Sequence, residues 1–153
     1  MASLVVRDLV VARPNSDRGA PPILDRINLR LAPGAAAAIA GPSGAGKTTL
    51  LHAIAGLLKP SSGFIEWDGV EISRWSEGRR DMWRRAKLGM IFQDFQLLPE
   101  LSAADNIALP YAFDQWRQPT DLNPRMRALA ERVGLRDLST RAGAMSRGEQ
   151  QRV

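Results

Sequence analysis

Cysteine is absent from the 153 residues, and histidine and tyrosine occur once each, as His52 and Tyr111. Disulfides, cysteine-ligated metals and thiol nucleophiles are thereby excluded, which suits a reducing compartment. A lone histidine with no companion histidine or carboxylate motif reads as a packing or surface residue. No run of about eighteen apolar residues occurs, and Met1 to Asp8 lacks a signal-peptide layout. The expectation is a chain that neither spans a membrane nor is exported. What is present is ordinary globular composition, 44% hydrophobic against 24% charged, enough for one domain with a real core.

The net charge is +5 and the isoelectric point near 10.6. Much of the excess lies in Arg74, Arg79, Arg80, Arg84, Arg85 and Lys87, with Trp75 and Trp83 interleaved. Two readings stand. Cations and aromatics together suit single-stranded nucleic acid. The favoured alternative is a solvated helix with Met82, Trp83 and Ala86 turned inward and its arginines in water.

One segment carries definite chemistry. Gly41-Pro42-Ser43-Gly44-Ala45-Gly46-Lys47-Thr48-Thr49 fits the phosphate-binding pattern G-x-x-x-x-G-K-[ST]. Gly41, Gly44 and Gly46 let the backbone curl so that successive N–H groups, with those of Ser43 and Thr49, face one anion. Lys47 would reach the β and γ phosphates, and the Thr48 hydroxyl would hold Mg²⁺. The pattern requires a strand before the loop and a helix after it. Ala35 to Ala40, fenced by Pro33-Gly34 and Gly41, has the length of a buried strand, although alanine is a poor strand former. Leu50, Leu51, Ile54, Leu57 and Leu58 recur at helical spacing, with Gly56 and Pro60 at the stop.

Elsewhere, Leu4-Val5-Val6 with Leu9-Val10-Val11 predicts a strand, Pro14 to Pro22 a loop, and Ile23 to Leu31 a half-buried strand. Asp68-Gly69 predicts a hairpin turn after Phe64 to Trp67. Leu88 to Phe92 predicts a second buried strand. Helices are predicted over Ala103 to Leu109, with Ser102 as cap and Asp105 three residues on, and over Arg125 to Val133. Pro99, Pro110, Pro119 and Pro124 are expected to keep the helices short. The boundary is placed near Asp94, giving a nucleotide-binding part with an antiparallel β subdomain over 1–93 and a helical part over 94–153.

Three segments in order resemble the ATP-binding subunits of ATP-binding-cassette (ABC) transporters. They are the phosphate loop, Gly89-Met90-Ile91-Phe92-Gln93 as the Q-loop strand, and Met145-Ser146-Arg147-Gly148-Glu149-Gln150-Gln151-Arg152-Val153 as the signature segment. Leu97 to Ile107 is similar to the lipoprotein-releasing, macrolide-export and cell-division branch. The resemblance implies an α/β P-loop NTPase cassette with a mixed β core, an antiparallel β subdomain and a small helical subdomain. It implies an ATPase with ATP and Mg²⁺ as cofactors and Lys47 and Gln93 as catalytic residues. Thr48 and Gln93 would hold the metal, and Ser146 and Gly148 would complete the ATP site of a second copy in a head-to-tail dimer. A membrane permease subunit is the further partner, with Phe95, Leu97 and Leu98 either contacting it or packing in the core. The implied location is cytoplasmic, at the inner face of the cell membrane, with no nucleic acid expected. A soluble cassette ATPase of repair or translation is the runner-up.

Four departures accompany the resemblance. Arg147 replaces a glycine of the signature and Glu149 its glutamine; Arg147 aids a phosphate or obstructs it. Arg13 stands near the position where an aromatic residue stacks on adenine. The acidic Walker B strand, catalytic glutamate, D-loop and switch histidine are not among the 153 residues, so a fragment with little turnover is expected. Taken alone, Met145 to Gln150 also reads as an ordinary capped helix, with Ser146 as N-cap and Glu149 three residues on.

Overall fold

Leu4, Val6, Leu9 and Val11 are two alternating pairs that fall out of step with each other between Val6 and Leu9. In the structure, a computed structural model in which residues 3–14, 20–113 and 121–153 are described, a bulge restores the step. Strand β1 (Leu4–Val11) pairs antiparallel with β2 (Leu24–Leu31) on one side and β3 (Ser62–Trp67) on the other. Register shifts fall between Val6 and Leu9 against β2, and between Arg7 and Val10 against β3. Arg7 and Asp8 both face solvent, with Asp8 at φ 44°, so all four apolar residues reach the same buried side. The amide of Asp8 donates to Asn28 Oδ1 at 3.1 Å, and Asn28 Nδ2 donates back to Asp8 Oδ1 at 3.3 Å.

Gly63 makes this bulge possible. At φ 94° it lies so close that a Cβ would sit 2.5 Å from the Asp8 carbonyl oxygen and 2.6 Å from Leu9 Cα. Beyond it, β3 turns through Asp68 (φ 52°) and Gly69 (φ 79°) into β4 (Val70–Glu71), the hairpin expected from Asp-Gly. The described sheet has the order β2-β1-β3-β4, antiparallel throughout.

The chain forms two compact units, Met1–Gly89 and Met90–Val153. In the first, Leu4, Val6, Leu9, Val11, Leu24, Ile65 and Ile72 bury against Leu50 and Ala53 of helix α1 (Lys47–Ile54). Helix α2 (Glu77–Lys87) keeps Trp83 inward as expected but differs in the rest of its phase: Met82 is 67% exposed and Ala86 is exposed, while Arg80 is buried. The indole pair fixes that phase, Trp83 lying 5.9 Å from Trp67 at an interplanar angle of 48°.

Two expected strands are corrected. Ala35 to Ala40 and Leu88 to Phe92 have no strand structure, the alanine run is exposed throughout, and Ile91 is 97% exposed. A buried strand needs ladder partners, and no described residue pairs with either segment.

In the second unit, α3 (Ala103–Phe113) and α4 (Leu122–Arg132) precede a 3₁₀ turn (Ala142–Ala144) and the short helix α5 (Arg147–Gln150). Ala103, Ala130, Leu135 and Met145 form its core. The prolines do not shorten these helices as expected. Pro110 lies inside α3, and Pro124 is the third residue of α4, where the amide it lacks has no intrahelical acceptor. Ser102 caps α3 by accepting from the Asp105 amide at 3.1 Å. Asn106 ties the preceding loop to the helix, accepting from the Leu98 amide at 2.8 Å and donating to the Leu98 carbonyl at 3.0 Å. The loop expected over Pro14 to Pro22 falls partly, and Pro119 wholly, outside the described residues.

Gly63→Ala is expected to lower unfolding stability by about 3 kcal/mol, since a left-handed φ and a backbone clash coincide. Gly78→Ala, in open space on α2, should raise it by up to about 1 kcal/mol. Urea denaturation of both variants checks this, and a Gly63→Ala midpoint equal to the unsubstituted protein's would contradict the packing described.

Candidate functional site

The loop Gly41 to Gly46 runs into α1, with Gly46 as its N-cap at φ 85°. A side chain there meets more than an unfavourable φ: a Cβ would sit 2.8 Å from Leu24 Cδ2 and 3.1 Å from the Ile23 carbonyl oxygen. Gly44, at φ 78°, has open space around it, so only its backbone conformation calls for glycine. Gly41, Ser43 and Gly44 are exposed. The first helical hydrogen bond runs from the Leu50 amide to the Gly46 carbonyl at 2.8 Å. The amides of Lys47, Thr48 and Thr49 therefore have no intrahelical acceptor.

Lys47 is half-buried and its Nζ donates to the carbonyls of Gly41 at 2.8 Å and Pro42 at 2.7 Å. The ammonium is thus held across the loop, beside the positive end of the helix. Thr48, one residue on, is exposed, while Thr49 is half-buried and Leu50 buried. Amides without intrahelical acceptors, a helix N-terminus and a fixed ammonium close together suit a polyphosphate. A hydroxyl beside it suits Mg²⁺, which takes few protein oxygens and relies on phosphate and water for the rest. His52 is half-buried on the same helix, as a packing residue would be.

The other candidate residues lie in the second unit. Gln93 is exposed in a bend. Ser146 caps α5 with both halves of a capping box: its Oγ accepts from the Glu149 amide at 3.3 Å, and its own amide donates to Glu149 Oε2 at 2.8 Å. The Ser146 hydroxyl also donates to Glu149 Oε2 at 2.6 Å. These hydrogen bonds, hydroxyl first, with the Arg152 charge, hold the Glu149 carboxyl below its ordinary value of 4.5. The capped-helix reading of this segment is what the structure contains. The Glu149 charge is directed to Ser146, and the sequence signalled it through the S-x-x-E spacing.

Gly148 has open space, with Arg152 Nη1 3.8 Å from a hypothetical Cβ. Arg147 places its guanidinium 5.9 Å from the Phe95 ring centroid. No sequence pattern announced that contact, because 52 positions separate the two residues. Phe95 and Leu97 are half-buried and Leu98 is 43% exposed. Arg13 donates from Nε to the Pro21 carbonyl at 3.3 Å. Among the described residues no group of three or more His, Asp or Glu is placed to hold a metal ion.

Comparison with known proteins accounts for this set of segments. The family model described as ABC transporter matches residues 24–153. The chain belongs to the ABC transporter family. It is 40% identical over 132 residues to the lipoprotein-releasing system ATP-binding protein LolD of Idiomarina loihiensis, covering 86% of this chain and 58% of that protein. It is 38% identical over 154 residues to an uncharacterized ABC transporter ATP-binding protein of Mycobacterium tuberculosis, covering 100% of this chain and 46% of that protein. The chain thus spans about half the length of the curated relatives it matches. Among solved structures it matches a dimeric ATP-binding cassette, MJ0796, in a post-hydrolysis state bound to ADP and Pi, with TM-score 0.83 and 27% identity. That match covers 97% of this chain and 66% of that one. The P-loop NTPase fold of the ABC family, with its antiparallel sheet and helical part, is the fold of this chain.

Ser146→Ala should return the Glu149 carboxyl toward its ordinary range and loosen α5. A depressed carboxyl stabilises the fold above its unfolded value of 4.5 and loses that contribution as pH falls through its lower folded value. The variant should lack that acid-side loss. Carboxyl-carbon NMR titration of Glu149 in both proteins checks this; identical titration curves would refute the hydroxyl's role.

Proposed function

We propose that this protein is the ATP-binding subunit of an ABC transporter, coupling ATP binding and hydrolysis to transport through a membrane permease. The observation that carries the reading is the Lys47 ammonium, fixed across the loop by the Gly41 and Pro42 carbonyls beside first-turn amides of α1 that have no intrahelical acceptor. In this reading Gly41, Ser43, Gly44, Gly46 and Thr49 shape the phosphate cradle. Lys47 neutralises the β and γ phosphates, lowering the cost of charge that shifts during phosphoryl transfer. Thr48 and Gln93 supply neutral oxygens to Mg²⁺, which spreads phosphate charge when bound.

Ser146 and Gly148 serve the nucleotide of a second copy, head to tail, so each site is shared between copies. The dimeric state of the matched cassette supports that arrangement. The nucleotide core is assigned to 1–93 and the signature-bearing helical part to 94–153.

Relatives named for lipoprotein release, together with Leu97 to Ile107, favour that branch of the family. The cargo is then selected by the permease, with Phe95, Leu97 and Leu98 at the docking face. Attachment would be peripheral, at the inner face of the membrane; no described helix is long and apolar enough to cross it. The basic segment does not favour nucleic acid. Arg79 lies 4.1 Å over Trp75, Arg74 pairs with Glu71 at 3.2 Å, and Arg84 and Arg85 pair with Asp81.

Lys47→Ala should weaken Mg·ATP binding by about 10- to 100-fold, the scale of a charge-assisted hydrogen bond to phosphate. Calorimetric titration measures it. Affinity equal to that of the unsubstituted protein would remove Lys47 from the site.

A further inference from the structure

The phosphate helix α1 has eight residues, about 12 Å, too few to hold a helix by itself. Its positive end is the loop just described. Its negative end closes through Gly56 (φ 68°): the Leu57 amide donates to the His52 carbonyl and the Gly56 amide to the Ala53 carbonyl, each at 2.9 Å. Those bonds leave the carbonyls of Ile54 and Gly56 unclaimed, and two side chains from distant segments take them. Trp67 Nε1 donates to the Ile54 carbonyl at 2.8 Å, and Arg84 Nη1 donates to the Gly56 carbonyl at 2.7 Å.

Arg84 is well placed to act as a rigid support. Its side chain is 18% exposed, and its other nitrogen Nη2 is held by Asp81 Oδ1 at 3.0 Å. The Trp67 indole is braced against Trp83, one residue before Arg84. A second cation passes the same place. Arg80, 7% exposed, has its Cδ 3.5 Å from where a Gly56 Cβ would sit, and its Nε and Nη1 have no hydrogen-bond partner. The Arg84 guanidinium thus lies against the negative end of a helix whose positive end is the phosphate loop, the polarity that a helix dipole favours.

The geometry points to Arg84 and Trp67 as positioning residues for the phosphate loop, acting through the far end of α1, with Arg84 as the principal one. This rests on the nucleotide reading of Gly41 to Thr49. The loop amides must meet phosphate oxygens within a fraction of an ångström, and a two-turn helix transmits any tilt at its C-terminal end directly to those amides. Neither residue is part of the loop itself; both bond carbonyls at the opposite end of α1. A role confined to general stability would loosen the whole unit and leave the affinity of the folded protein unchanged.

Mg·ATP titrations of the full chain and its Arg84→Met, Arg84→Lys and Trp67→Phe variants test this. Each is run where circular dichroism shows the variant fully folded, and amide hydrogen exchange is recorded alongside. Arg84→Met is expected to weaken binding about tenfold, with faster exchange at Gly46 to Thr49 and unchanged exchange in β1 and β3. Arg84→Lys, which keeps the charge and one donor, should recover much of the affinity. Trp67→Phe, which keeps a ring and loses only the donor, should weaken binding several-fold and serves where Arg84→Met does not fold. Folded variants that bind Mg·ATP as the unsubstituted protein does would overturn the positioning role. So would exchange that rises equally in the loop and in the strands. If the unsubstituted chain does not bind Mg·ATP at all, the nucleotide reading itself fails.

Discussion

The close approach of Gly63 to the bulge at Arg7–Asp8 is the constraint from which the first unit is built. A strand whose apolar residues fall out of step would turn half of them to water if it stayed regular. The bulge inserts the extra residue, and Gly63 alone allows the neighbouring strand to follow it, because any Cβ would strike backbone atoms at 2.5 to 2.7 Å. With the step corrected, Leu4, Val6, Leu9 and Val11 form one floor, and Leu50 and Ala53 of α1 pack on it. The phosphate loop therefore stands on a sheet irregularity some forty residues away in sequence.

The same floor explains why Gly46 has two duties. Its left-handed backbone starts the helix, and its missing side chain leaves room for Leu24 of the same core and for the backbone of Ile23 beneath. Packing and ligand geometry meet at that one residue. At the far end of α1 the demand is for donors: a helix this short leaves carbonyls that its own backbone cannot satisfy, and side chains of β3 and α2 reach them. The loop Gly41 to Gly46 and its helix are thus supported by apolar burial on one side and by hydrogen bonds at the opposite end.

Legibility in the sequence followed the range of the forces involved. The helix that opens at Lys47, the Asp68-Gly69 hairpin, the Ser102 cap and the Ser146-Glu149 spacing are local, each set by residues within a few positions, and each appears where the pattern places it. In α2 apolar periodicity nominates Met82, Trp83 and Ala86, of which only Trp83 is inward; long-range contacts between Trp83 and Trp67 and between Arg84 and Gly56 turn Met82 and Ala86 to solvent. The expected strands at Ala35 to Ala40 and Leu88 to Phe92 show the other kind of miss. An apolar run announces that it is suited to burial, but strand structure requires ladder partners, and no described residue supplies them.

What the sequence by itself determined is the chemistry: a glycine-rich loop ending in Lys-Thr, a glutamine segment and a signature-like segment in order, hence the family and the candidate contacts to phosphate. Those depend on residue type and short spacing. Only the tertiary structure decided which side chains hold that chemistry in place. Gly63 beneath the bulge, Trp67 and Arg84 at the end of α1, and Arg147 over Phe95 act across 13 to 55 positions of chain. Contacts at that range are selected by packing and by the need to satisfy buried polar groups, and neither leaves a periodic trace in the sequence.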